Sequence, residues 1–165
     1  MSPDLEDGLQ QRFGKYFSDS MTFSFSHGDG WYRIIESFLQ SLVNPVMSAK
    51  ANLDRVERRF TDKGTDRDFY SPVTVADVDA AKLRLANAME NLPSSFYAKE
   101  QFGELSITYN SQINPTVDAL IDFAEQMSAV TCEICGNFGK HRNGSWDRTL
   151  CNHHAEKLGY MDDMQ

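Results

Sequence analysis

The sequence predicts an α+β fold: a mainly helical layer with a small β-sheet, and a treble-clef-like module at the C-terminal end. Apolar residues recur at helical spacing through most of positions 1–130, and two short runs alternate with period two. Positions 131–165 carry paired cysteines and histidines on either side of a hairpin signal. The organisation that follows is an α+β domain over 1–130 with a metal-binding module over 131–165 packed on it. With 41% hydrophobic and 12% aromatic residues in 165, the chain has enough apolar surface to bury a core.

Leu5, Leu9, Phe13 and Phe17 suggest a first short helix, weakened by Gly8 and Gly14. Positions 21–26 read MTFSFS, and Met21, Phe23 and Phe25 mark one face of a strand that the glycines after His27 end. Trp31, Ile34, Ile35, Phe38, Leu39, Leu42 and Val43 then fit one buried helical face closely. Asn44-Pro45 predicts a break there and a new helix capped by Asn44, with Val46, Ala49, Leu53, Val56 and Phe60 inward. The aperiodic, charge-alternating stretch 61–72 reads as a solvated loop and a candidate contact surface.

Thr74 with Asp77 resembles a capping box for a helix whose inner face is Val78, Ala81, Leu85, Ala88 and Leu92, stopped by Pro93. Leu105, Ile107 and Tyr109 alternate as a second strand, expected to pair with the first in a small antiparallel sheet. Pro115 and Thr116 open a helix with Val117, Leu120, Ile121, Ala124 and Met127 inward.

A net charge of −8 argues against broad attraction to nucleic acid, which needs a surplus of Lys and Arg. No apolar run approaches the roughly 20 residues that span a bilayer, and the opening MSPDLEDG lacks the basic and apolar regions of a secretory signal, so a cytoplasmic setting without membrane contact is expected. In that setting a CxxC points to metal or redox chemistry rather than to a disulfide framework.

Cys132 and Cys135, followed by Gly136, have the spacing of a zinc knuckle, in which a tight turn converges two thiolates on one ion. Cys151 and His154 form a second pair at C-x2-H, where both groups reach the same side of a first helical turn. Between them, Asn143-Gly144 is a type I′ hairpin signal flanked by strand-like runs. Knuckle, hairpin and helix start make a treble-clef layout with Cys132, Cys135, Cys151 and His154 as zinc ligands; His153 is the alternative fourth ligand and His141 a remoter one. A thioredoxin-like redox reading wants a βαβ context that is missing. Four protein ligands close the coordination sphere, so a structural zinc is expected and no enzymatic role for it.

Lys140, Arg142, Arg148 and Lys157 make the module a locally basic island on an acidic chain, a possible partner-binding surface. His27, Asp29 and Glu100 are the residues an enzyme reading would use. The plainer account has Asp29 capping the helix that Trp31 starts, and the Lys99-Glu100 pair solvated at the entrance of the second strand.

Phe13 with Tyr16-Phe17, Gly28-Asp29-Gly30-Trp31-Tyr32, Lys99-Glu100 with Phe102-Gly103 and Leu105, and Cys132-x2-Cys135-Gly136 through Trp146 and Thr149-Leu150-Cys151 to His154 together resemble a group of small proteins encoded by bacteriophages and prophages. Members of that group usually carry Cys where this chain has His27, and Lys where it has Gln101, reading Lys-Phe-Gly directly after Lys-Glu with no gap. The group has no established activity, so the resemblance implies origin and setting: a viral protein in the cytoplasm of an infected bacterium. By analogy with other small phage accessory proteins, the expected function is to bind and modulate or inhibit a host bacterial protein of defence or transcription. The alternative is a nucleic-acid-binding zinc finger that uses the basic island.

Overall fold

A computed structural model describes residues 1–17, 22–61, 72–110 and 113–160. The loop read at 61–72 lies, apart from its two ends, outside the described residues, as does Met21. The chain divides into two compact units, Met1–Leu42 with Pro93–Gln165, and Val43–Leu92. The expected 131–165 module lies wholly within the first unit.

The first unit opens with α1 (Pro3–Phe13), whose Leu9 and Phe13 are buried as its period requires. A three-stranded sheet follows from β1 (Thr22–Ser26), β2 (Ser95–Gln101) and β3 (Glu104–Asn110), in the order β1-β2-β3. Here the structure corrects the sequence reading. β2 was unforeseen, it takes the central place, and it pairs parallel to β1 and antiparallel to β3. Only Phe96 and Ala98 mark its inner face, too short an alternation to outweigh the charged Lys99-Glu100. The parallel pairing follows from the long helical crossover between β1 and β2.

Phe23 and Phe25 of β1 meet Phe96 at ring distances of 4.8 and 5.8 Å, and Phe38 packs on Phe96 at 5.7 Å. The exposed edge of β3 is sealed by α4 (Pro115–Ser128), capped by Asn114. Leu105 N–H donates to Ser128 Oγ and Ile107 N–H to Glu125 Oε1, each at 2.8 Å, which occupies two of the outward donors that make an edge strand sticky.

The second correction concerns Asn44-Pro45, because α2 runs unbroken from Tyr32 to Thr61 with Pro45 inside it. The buried positions Leu39, Leu42, Val43 and Val46 stay in phase across the proline, while Asn44 and Pro45 lie on the exposed face. An interior proline costs about 3 kcal/mol by forfeiting one helical hydrogen bond; the continuous apolar stripe offsets that. In the Val43–Leu92 unit, α3 (Val75–Glu90) starts at the expected capping box, with Asp77 N–H donating to Thr74 Oγ1 and Thr74 N–H to Asp77 Oδ2. Lys82 and Glu57 pair at 3.7 Å.

His27 follows β1 in a buried position, and among the described residues its Nε2 has no hydrogen-bond partner while Nδ1 faces Gly28 O at 2.8 Å. Burial pushes its pKa down, against a smaller opposing pull from the Gly28 carbonyl. The unfolded chain therefore binds the proton more readily, and stability falls as pH drops below about 6.5, the ordinary histidine value. Denaturant titrations at pH 7.5 and 5.5 check this: the loss on acidification is expected to shrink in His27→Gln, and an equal loss in both proteins removes His27 as its source.

Candidate metal centre

The module begins as α4 ends. Cys132 N–H donates to Asn137 O at 2.8 Å and Gly136 N–H to Cys132 O at 2.9 Å, so the chain folds back on itself within five residues. Gly136 takes φ +75°, which a side chain would resist. A two-stranded hairpin follows, β4 (Lys140–Arg142) and β5 (Arg148–Leu150), in the register Lys140↔Leu150, His141↔Thr149 and Arg142↔Arg148. The loop thus spans 143–147, and neither Asn143 nor Gly144 has positive φ, so the expected type I′ turn is absent there. Positive φ at two successive positions, the I′ pattern, occurs instead at Phe102 (54°) and Gly103 (80°) between β2 and β3.

Cys151 is the N-cap of α5 (Asn152–Leu158), which makes His154 its N3 residue. N-cap and N3 side chains face each other at a helix start, the geometry a capping box exploits, and here it brings a thiol and an imidazole together. Gly159 closes the helix at φ +76°, with Tyr160 N–H donating to Ala155 O and Gly159 N–H to Glu156 O, a Schellman stop.

Cys132, Cys135, Cys151 and His154 offer ligand atoms that all lie within 4.8 Å of one another. The three thiols form no disulfide. Cys135 and Cys151 sulfurs are 3.8 Å apart, and His154 Nδ1 lies 3.5 Å from Cys132 Sγ and 3.3 Å from Cys151 Sγ. A tetrahedral ion bound at about 2.3 Å to sulfur and about 2.0–2.1 Å to nitrogen needs edges of roughly 3.8 and 3.6 Å. The donor set therefore fits a four-coordinate metal. His154, rather than His153, belongs to it: His153 is exposed and stands outside the cluster. His141 lies 3.9 Å from Asp147, on the hairpin.

The thiols influence one another. Burial pushes Cys132 up, but backbone N–H donors of Cys151, Cys135 and Ile134 outweigh it and set the thiol below its ordinary value. Cys135 is pushed up, first by burial and then by the neighbouring Cys132 and Cys151 sulfurs. Gathering thiolates raises the energy of each further ionisation, and a bound cation relieves it. The module's own apolar core is small: Cys132, Leu150 and Ala155, with Ile134, Cys151 and Tyr160 partly buried around them.

The glycine loop before α2 grips the knuckle. Gly30 N–H donates to Glu133 O at 2.8 Å and Trp31 Nε1 to Thr131 O at 2.7 Å. Asp29, expected from sequence to cap the helix, makes no cap bond; its Oδ1 accepts the Ser2 N–H at 2.6 Å.

Of the four basic residues proposed to meet a partner, Lys140 and Lys157 are exposed. Arg142 is buried and donates to Asn152 Oδ1 at 2.6 Å, and Arg148 pairs with the buried Glu133. Burial pushes the Glu133 carboxyl up, the Arg148 guanidinium opposes that, and the nearby Glu100 charge adds to it. Glu133 gave no sequence signal, because its partners stand 15 and more residues away and share no period with it. Glu100, read as solvated, is instead half-buried and accepts from Gly103 N–H at 2.8 Å and Trp146 Nε1 at 3.0 Å. No helix among the described residues is long and apolar enough to cross a membrane. The chain matches no protein-family model, no curated protein and no solved structure.

Proposed function

We propose that the chain is a phage- or prophage-encoded accessory protein, built around one structural zinc, that binds and modulates a host bacterial protein in the infected cytoplasm. Three thiolates and one imidazole at tetrahedral spacing suit zinc, which has no geometric preference of its own and accepts this soft donor set. With all four positions supplied by the chain, the ion stabilises the fold and presents no open site for a substrate. The viral origin rests on the motif resemblance.

The observation that carries the binding role is that three large aromatic side chains on or against the module are left in water. Phe102 is 72% exposed, Phe138 80% and Trp146 62%. Glu100 links the turn of Phe102 to the Trp146 indole, and tryptophan is among the commonest hot-spot residues. The nucleic-acid alternative draws less support, since Arg142 and Arg148 are engaged inside the module on a chain of charge −8.

Affinity capture from bacterial lysate, followed by rebinding of the purified partner, tests the reading. One host protein is expected in stoichiometric amount, with zinc at one per chain by elemental analysis. Recovery of no partner that rebinds counts against it, and binding to DNA or RNA that weakens steeply with salt would favour the alternative.

A further inference from the structure

We propose that Phe102 and Trp146, with the carboxylates of Glu100 and Glu104, form a docking site for a cationic side chain, arginine or lysine, on a protein partner. This inference rests on the protein-binding reading and names its surface and chemistry.

Phe102 occupies the first central position of a two-residue hairpin turn at φ 54°, where Asn, Asp or Gly is the unstrained choice. A strained residue is normally held by burial, yet this ring is 72% exposed. The positive φ closes the β2–β3 hairpin in two residues, but that turn does not call for a phenyl ring at its first central position. The turn is nevertheless fixed. Glu100 bonds Gly103 N–H with one oxygen and Trp146 Nε1 with the other, so one carboxylate positions both aromatic residues. A methyl group at Gly103 would lie 3.0–3.1 Å from the Arg148 backbone, which shows how closely the turn lies on β5.

Charge selects the occupant. Glu100 and Glu133 are near enough to repel, and Arg148 is the guanidinium that pairs with Glu133. Glu133 Oε2 is buried without a hydrogen bond. Glu104 is exposed at the same turn, and Asp147, next to Trp146, faces His141 at 3.9 Å. Glu133 and Asp147 thus face basic side chains of their own, and the carboxylates left at the turn beside the exposed Phe102 and Trp146 are Glu100 and Glu104, the combination that attracts an ammonium or guanidinium group. An acidic or nucleic-acid occupant would meet repulsion.

Trp31 is fully buried and Trp146 largely exposed, so changes in tryptophan emission caused by an added peptide report on Trp146. The probes are an acetylated glycine-rich nonapeptide with two arginines, the same peptide with two glutamates, and an oligouridylate. The arginine peptide is expected to perturb the emission at millimolar concentration and the glutamate peptide not. Phe102→Asn and Glu104→Gln are each expected to weaken that response about fivefold or more. Phe102→Asn, by relieving the turn, is also expected to raise Tm by about 2–4 °C.

Equal responses to both peptides, no response to arginine, a stronger response to oligouridylate, or a Tm that falls in Phe102→Asn would each overturn the proposal. So would a dimer of this chain that Trp146→Ala dissolves. If Phe102→Asn and Trp146→Ala still capture the host protein that the wild type captures, the inference falls while the protein-binding reading stands. If the wild type captures none, the reading falls whatever the peptides do.

Discussion

Cys132→Ser is expected to lose stoichiometric metal and to unfold the segment from the knuckle to α5. Cys132 is fully buried, contributes one of four ligand atoms, and is also part of the three-residue core of the module. A core of that size falls far short of what ordering some 30 residues costs, at about 1–2 kcal/mol of backbone entropy each. Structural metal sites in small peptides supply about 10–16 kcal/mol of apparent binding free energy at neutral pH. Losing most of that is comparable to the whole roughly 5–15 kcal/mol by which a domain usually stands folded.

Elemental analysis and hydrogen exchange check the result together. Amides of β4, β5 and α5 are expected to lose protection in the variant, and a strong chelator is expected to produce the same pattern in the wild type but no further change in the variant. Acidification acts in the same direction, because protons compete with the ion for three thiolates and an imidazole. A Cys132→Ser protein that keeps one metal per chain and a protected α5 would falsify the assignment.

The Cys/His cluster was legible in the sequence because its pairs are local: Cys132 with Cys135, and Cys151 with His154, each lie within one turn, and the hairpin between them needs only to close. Helix faces and starts were legible for the same reason, as Thr74 with Asp77 and the opening at Pro115 show. What escaped was decided by distant partners. β2 carries a two-residue apolar face and becomes a central strand through β1 and β3 on either side of it. Pro45 reads as a breaker until the buried stripe is seen to continue through Val46 in the same phase. Asn143-Gly144 has the better turn composition, yet Phe102-Gly103 has the turn, since strand register and the Glu100 clamp fix its backbone. Glu100 itself looked solvated because the indole it holds is 46 residues away.

The glycine loop gives the second large expected effect, and it tests whether the knuckle depends on a segment a hundred residues distant. Gly30→Ala is expected to weaken metal retention and to destabilise the protein by about 3 kcal/mol or more, the upper range for forced overpacking. A methyl group there would drive into the Cys132 carbonyl oxygen and lie 2.6 Å from the Glu133 carbonyl carbon and 2.7 Å from Gly136 N. All three are backbone atoms of the knuckle, which cannot rotate aside as a side chain would. Relief requires the loop to lift, breaking the Gly30 N–H bond to Glu133 O and pulling on Trp31, whose indole is tied to Thr131 O. Gly8→Ala is the matched control: it lies inside α1 with nothing within 4 Å of the added carbon, and it is expected to stabilise by up to about 1 kcal/mol. Thermal melts and chelator-challenge rates on both variants separate the two mechanisms. If Gly30→Ala melts and retains metal as the wild type does, the loop carries no strain to the knuckle. Faster metal loss in that variant alone means that the thiolates are held in position by the β1–α2 junction as well as by their own turn.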